Sequence, residues 1–205
     1  MRKSSILIQL LFAFFLALLA GCSQGSRLPR IAADGVVLAF GDSITAGSGA
    51  GAGESYPEIL GGLIGRRVVN AGIPGEVTAE GAARLPELLD SVKPALLILC
   101  HGGNDLLRHM DQRQAADNLR GMIRMARERG VAVVLVAVPS PDLSLKPPAF
   151  YGELAAESGL PIESKVLGKI LGKGSLKSDY IHPNAAGYRQ LAEALAALLK
   201  KSGAI

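Results

Sequence analysis

The sequence predicts a three-layer α/β/α domain built on a mostly parallel sheet. Three observations predict it. Short apolar runs rich in β-formers alternate with longer stretches of helical apolar spacing. Several of the short runs are apolar at every position, as strands buried on both faces must be. Beyond its first stretch, the chain of 205 residues still holds enough sequence for one domain with a sizeable core.

The first stretch does not read as part of that domain. Arg2 and Lys3 give a positive start, residues 6–20 are apolar except for Gln9, and Leu19-Ala20-Gly21-Cys22 comes next. That order is the pattern of a secretory signal. The run is shorter than the roughly 20 residues a membrane-spanning helix needs. Leu-Ala-Gly-Cys at its end resembles the bacterial lipobox, which implies cleavage before Cys22 and lipidation of its thiol. Residues 1–21 are therefore expected to be a signal peptide and residues 22–34 a lipidated tether, polar and short of pattern. The folded domain is expected over residues 35–205. Ser23 after the cysteine favours the outer membrane in a Gram-negative cell.

The domain's elements run in order along the chain. Residues 36–40 are a buried strand, and the Gly/Ala-rich residues 47–53 a mobile loop. Residues 56–64 have helical spacing, and 67–70 form a second strand. Residues 78–91 are helical, with Thr78 as N-cap. Residues 95–100 are a third strand, and 111–129 a long amphipathic helix stopped by Gly130. Residues 131–138 are a fourth strand, 139–148 a proline-rich loop, 149–158 a helix and 160–162 a short fifth strand. A last helix covers 184–200. This alternation suits a flavodoxin-like doubly wound sheet of about five strands in the order 2-1-3-4-5. Such sheets bind ligands beyond the carboxyl ends of their strands.

Composition removes several functions. The net charge of +4 falls by two when Arg2 and Lys3 leave with the signal. The remaining cations are scattered and tryptophan is absent, so nucleic-acid binding is set aside. Of the two cysteines, Cys22 is consumed by lipid and Cys100 ends an apolar run as a small buried hydrophobe, so no disulfide is expected. No HExxH, paired-cysteine or EF-hand pattern points to a metal, and no cofactor is expected. Two further patterns mislead. Gly21-Cys22-Ser23-Gln24-Gly25 fits G-x-S-x-G but has no strand before it. Residues 47–52 fit a loose dinucleotide fingerprint but do not directly follow a strand.

The chemistry gathers at strand ends. Ser43, in Phe40-Gly41-Asp42-Ser43-Ile44-Thr45, comes directly after the first strand. A serine hydroxyl is a weak nucleophile until a base takes its proton. His182 stands in Asp179-Tyr180-Ile181-His182-Pro183, just before the last helix. An aspartate three residues before a histidine on a turn can reach the far ring nitrogen and fix the tautomer. His101 is a rival base, but strand alternation turns it from its neighbours and no acid stands three before it. His109 belongs to a solvated turn.

These residues fall into blocks. Gly41-Asp42-Ser43 with Ile44-Thr45 after it resembles the first block of the SGNH/GDSL hydrolases. Asn70-Ala71-Gly72-Ile73-Pro74-Gly75-Glu76-Val77-Thr78 resembles the second, which supplies a glycine. Gly102-Gly103-Asn104-Asp105 resembles the third, which supplies an asparagine, and Asp179-x-x-His182-Pro183-Asn184 the fifth. The four occur in family order. The resemblance implies an SGNH hydrolase domain with Ser43 as nucleophile, His182 as base then acid, and Asp179 as orienting carboxylate. It implies an oxyanion hole from the N–H groups of Ser43 and Gly72 and the Asn104 amide. Ser43, Gly72 and Asn104 each come after a different strand, and a 2-1-3 order makes those ends neighbours. Taken singly, Ser43 reads equally as a helix cap, Gly72 as a turn residue, and Asp179 with His182 as a surface pair.

The implied activity is hydrolysis of carboxylic esters or thioesters, of the arylesterase, acyl-CoA thioesterase or lysophospholipase kind. Partners are then a small-molecule or lipid acyl ester, and a membrane through the N-terminal lipid. Leu106, Leu107 and Met110 either line an apolar pocket or pack ordinarily. The alternatives are a carbohydrate O-acetylesterase and a non-catalytic glycan- or lipid-binding lipoprotein.

Overall fold

The computed structural model describes residues 26–205. The expected signal over residues 1–21 and the lipidation site Cys22 lie outside the described residues. Five parallel strands form one sheet in the order β2-β1-β3-β4-β5, the order expected. They are β1 (Val37–Gly41), β2 (Val68–Gly72), β3 (Leu96–Cys100), β4 (Ala132–Val136) and β5 (Ile162–Glu163). Every residue of β1 and β3 is buried. That is the reason these runs carry Val, Leu, Ala, Phe and Ile without alternation: both faces of a central strand meet helices.

Helices cover both sides of the sheet. They are α1 (Ser43–Ala46), α2 (Tyr56–Ile64), α3 (Thr78–Val92), α4 (Gly103–Leu107), α5 (Gln112–Glu128), α6 (Ala149–Ser158), α7 (Val166–Leu171) and α8 (Ala185–Lys201). Of these, α2 packs with α8, and α3 with α5. The long α5 starts at Asp111, whose carboxylate accepts from the Arg113 N–H at 2.8 Å, and buries Leu119, Met122, Ile123 and Ala126. No described helix is long and apolar enough to cross a membrane.

Register positions the site. Gly41 pairs with Gly72 on one side and with Cys100 on the other. The chain therefore leaves β1, β2 and β3 at one level, and the three connections that begin there lie side by side.

Several expectations need correction. The second strand extends to Gly72, and β4 ends at Val136. The fifth strand is shifted to Ile162–Glu163 because Leu135 N–H and Ala137 N–H donate to the carbonyls of Pro161 and Glu163. Thr78 is the first helical residue of α3 rather than its cap. Its hydroxyl and N–H donate to Asp105, at 2.6 and 2.9 Å, while Glu80 accepts from the Val77 N–H at 3.0 Å. Helices α1, α4 and α7 are too short to show a period in sequence.

The segment read as tether is partly folded. Leu28 N–H and Ile31 N–H donate to the carbonyls of Ser202 and Ala204, and Ile31 is buried. The Gly/Ala-rich loop is fastened at Ser48, whose carbonyl accepts from the Tyr188 hydroxyl at 2.7 Å. At Gly49 a Cβ would come within 2.7 Å of the Pro183 carbonyl, so only glycine lets this loop approach the His182 turn.

Candidate active site

Ser43 opens α1 directly beyond β1. Its neighbour Asp42 is buried and accepts from the Ile44 N–H at 3.1 Å, which caps the short helix and fixes the serine's direction. Burial pushes the Asp42 carboxyl up, against the nearby His101 and His182 and the N–H groups of Ile44 and Gly103. Below it, the Thr45 hydroxyl and Tyr56 hydroxyl share a buried hydrogen bond of 3.1 Å. Burial also pushes the Cys100 thiol well up, consistent with its reading as a small hydrophobe.

His182 arrives from the far end of the sequence. The turn that carries it is closed by Ser178 N–H donating to the His182 carbonyl at 3.0 Å and by an antiparallel bridge between Lys177 and Pro183. Asn184 then caps α8, accepting from the Gly187 N–H at 3.1 Å. His182 Nε2 lies 2.9 Å from Ser43 Oγ, and His182 Nδ1 lies 2.8 Å from Asp179 Oδ2. A carboxylate at Nδ1 accepts the ring proton there and leaves Nε2 as acceptor for the serine hydroxyl.

The other oxygen of Asp179 accepts from the N–H groups of Ile181 and His182, both at 2.8 Å. Burial pushes this carboxyl up, but the hydrogen bonds from the His182 ring and the two N–H groups outweigh it and hold it below its ordinary value. The Asp179 side chain remains 51% exposed and that of His182 18%.

The serine and histidine open onto an apolar cleft lined also by Leu107, Val138, Pro139, Leu145 and Ile181. Its volume is about 40 Å³. Leu107 thus lines the cleft, while Leu106 is buried; Met110 is exposed and outside it.

The candidate oxyanion donors are placed unequally. Ser43 N–H, at the first position of α1, donates to no described acceptor. The Asn104 side chain gives one N–H to the Glu76 carbonyl at 2.9 Å and keeps a second. Gly72 departs from expectation. It ends β2, and its N–H is donated to Asn70 Oδ1 at 3.0 Å. Its lack of a side chain serves packing, since a Cβ would come within 2.7 Å of Ala46 Cα. The second glycine of the same block, Gly75, sits at φ +82° in the turn closed by Glu76 N–H and the Ile73 carbonyl. Its N–H has no described acceptor, and the turn is held beside Asn104 through the Glu76 carbonyl.

A buried ionic cluster that sequence reasoning missed supports this turn. Glu76 accepts from Arg84 Nε at 2.5 Å and Nη2 at 2.7 Å, and from His101 Nε2 at 3.0 Å. Gly102 N–H donates to His101 Nδ1 at 3.0 Å, which places the ring proton on Nε2. His101 is therefore committed away from Ser43, as its strand position implied. It does have an acid partner, but 25 residues upstream, where no local spacing points to it. Arg84 also donates to the Ala71 carbonyl at 2.8 Å and stacks 4.1 Å over the Phe40 ring.

Burial raises the Glu76 carboxyl, yet the bonds from His101 and Arg84 prevail and hold it at about 2. A depressed carboxylate stabilises the fold fully above its unfolded value of 4.5 and loses that contribution as pH falls toward 2. The expected loss is about 3 kcal/mol. Urea unfolding of wild type and Glu76→Gln at pH 6 and at pH 2.5 measures it: the stability gap between them should shrink by roughly that amount. A gap that stays constant would remove Glu76 from the acid response.

Known proteins resemble this chain in sequence and in fold. Residues 39–190 match a family model described as GDSL-like Lipase/Acylhydrolase family. The chain is 36% identical over 188 residues to esterase TesA of Pseudomonas aeruginosa, covering 86% of this chain and 93% of that one. It is 30% identical over 163 residues to thioesterase 1/protease 1/lysophospholipase L1 of Escherichia coli K12, covering 76% and 78%. The crystal structure of TesA superposes with a TM-score of 0.73 at 32% identity, over 82% of this chain and 99% of that one.

Proposed function

The chain belongs to the GDSL-like lipase/acylhydrolase family and is a hydrolase of carboxylic esters or thioesters, and from that premise we propose that Ser43, His182 and Asp179 carry its reaction on short acyl groups. The observation that carries the proposal is the unbroken relay Asp179–His182–Ser43 at 2.8 and 2.9 Å, opening on an apolar cleft.

Ser43 Oγ attacks the acyl carbon while its proton passes to His182 Nε2. The imidazolium so formed is stabilised by the Asp179 carboxylate. The charge that develops on the carbonyl oxygen meets the N–H of Ser43, the free N–H of the Asn104 amide and, in our reading, the N–H of Gly75 in place of Gly72. Such donors act because they are already oriented when the charge appears. The leaving group takes the proton from Nε2. Water, deprotonated by the same nitrogen, then releases the acid from Ser43.

The size of the cleft supports a preference for short acyl groups. A cleft volume of about 40 Å³ is that of a few water-sized groups. Longer chains must lie along the open rim past Leu107 and Leu145. A series of p-nitrophenyl esters tests this reading. We expect kcat/KM to peak between acetate and butyrate and to fall several-fold by octanoate. A steady rise to octanoate would overturn the short-acyl reading, and no turnover of any member would overturn the hydrolytic role of this site.

The run Leu19-Ala20-Gly21-Cys22 supports export with a lipid on Cys22. Loss of palmitate labelling in cells carrying Cys22→Ser is the expected check.

A further inference from the structure

The end of the domain away from the cleft is basic, and the N-terminal segment enters there. Leu28 and Ile31 are fastened to Ser202 and Ala204 at 2.9 and 2.8 Å. The strands begin at the same end, where Val37 N–H donates to the Arg67 carbonyl at 2.9 Å and the Arg66 guanidinium reaches the Ile31 carbonyl at 3.3 Å. Helix α8 ends there. Arg27, Arg30, Arg67, Lys93, Lys200 and Lys201 are all exposed at this end, and none is ion-paired to a described carboxylate. Of the acids nearby, Asp90, Glu128 and Glu157 are paired with Arg129, Arg124 and Arg120, at 2.7, 3.8 and 3.1 Å, which leaves Asp34 and Glu87 against the six cations. The negative end of the α8 dipole accounts for Lys200 and Lys201. It does not account for Arg27, Arg30 and Arg67, which lie outside helices.

We propose that this basic end is a docking face for the anionic surface of a lipid bilayer, and that it holds the catalytic cleft turned away from that bilayer. Two features support the choice of partner. Clustered cations within a Debye length, about 8 Å, of acidic headgroups are drawn to them. The chain also leaves the described domain from this same face. From Leu28 back to Cys22 is six residues, at most about 20 Å when fully extended. A domain of this size is about 40 Å across, and Ser43 and His182 lie past the opposite ends of the strands. A lipid on Cys22 thus leaves too short a leash for the cleft to reach its own leaflet. Which bilayer is meant rests on the anchor reading, and what the outward cleft does rests on the hydrolase reading. The substrate class narrows accordingly to esters that arrive through the aqueous phase or on a facing surface.

The test uses the chain from residue 23, because residues 26–205 hold the whole sheet, both helical layers and the core. It is sedimented with vesicles of phosphatidylcholine alone and of phosphatidylcholine with phosphatidylglycerol at about 30 mol%, a moderately anionic surface. Binding is expected to the mixed vesicles only, weakening as salt rises. Arg27→Gln, Arg30→Gln, Arg67→Gln, Lys200→Gln and Lys201→Gln combined should weaken it by more than about tenfold. Lys146→Gln, Lys165→Gln and Lys173→Gln combined, at the cleft end, should leave it unchanged. Ester hydrolysis retained by the first variant reports that it folds. The vesicle-bound chain should hydrolyse p-nitrophenyl acetate within about twofold of its rate in solution, as an unobstructed cleft requires. Equal binding to both vesicles, or loss of binding in the cleft-end variant instead, overturns the docking face. A bound enzyme whose hydrolysis is blocked overturns the orientation. Absence of hydrolysis without vesicles counts against the hydrolase reading alone, and unchanged palmitate labelling in Cys22→Ser against the anchor alone.

Discussion

Ser43→Ala is expected to lower kcat for a p-nitrophenyl ester by at least about 10⁴-fold and to abolish labelling by a fluorophosphonate. The size comes from the role of the hydroxyl. It sits 2.9 Å from His182 Nε2, and without it no acyl-enzyme forms; the residual route is attack by water held near the oxyanion donors. His182→Ala should cost a similar factor, because an unassisted serine is a weak nucleophile. The double variant should lose little more than either single one, since the two groups act as a unit. Multiplying losses would mean that serine and histidine serve separate steps. Full activity in Ser43→Ala would remove it as nucleophile. The same probe locates the second oxyanion donor: in a crystal structure of the labelled wild type, the phosphonyl oxygen should lie within hydrogen-bond distance of the N–H of Gly75 and not of Gly72. An oxygen bound to Gly72 N–H would restore the glycine that the block first suggested and require Asn70 to release it.

Asp179→Asn should lower kcat by about 10²–10³-fold with KM little changed. The aspartate accepts the Nδ1 proton at 2.8 Å and so keeps the Nε2 lone pair facing Ser43. An asparagine turned to present its amide nitrogen would impose the opposite tautomer. The loss should stay below the 10⁴ or so of a buried triad aspartate, because this carboxylate is half exposed and water can replace part of its field. Its oxygen also holds the N–H groups of Ile181 and His182, so the melting temperature must be measured beside the rate. A retained melting temperature with reduced kcat identifies orientation of His182 as the cause. Activity above half of wild type in Asp179→Ala would take the aspartate out of the relay. Because the Asp179 carboxyl is held below its ordinary value, it stays ionised as pH falls through the usual carboxylate range. Any stability it lends is present above that range and lost only at lower pH.

The sequence carried the architecture because its signals are local. The all-apolar runs that became β1 and β3 announce doubly buried strands, and the spacing of residues 111–129 announces α5. With those periods in place, few strand orders remain. Ser43, Asn104, Asp179 and His182 were legible as residues because each stands at an element boundary in a block of distinctive type. Two of the smaller errors share one physical origin. Thr78 looked like a cap from its neighbours, but Asp105, which claims it, comes from another strand end. Residues 28–31 looked like free tether, but their partners are at the chain's last residues.

What only the tertiary structure decided is distance and competition for hydrogen bonds. Ser43 and His182 stand 139 residues apart, and their contact exists because the end of β1 and the turn that leads into α8 meet beyond the carboxyl ends of the strands. Between two glycines of one block, the sequence cannot say whose N–H is free; Asn70 claims that of Gly72. Nor can it reveal that Glu76, Arg84 and His101 form one buried charge cluster, since a carboxylate, a guanidinium and an imidazole acquire a common partner only after the strands that carry them pair. Period and residue type are properties of neighbours along the chain. A catalytic distance is a property of neighbours in space, and packing alone creates those.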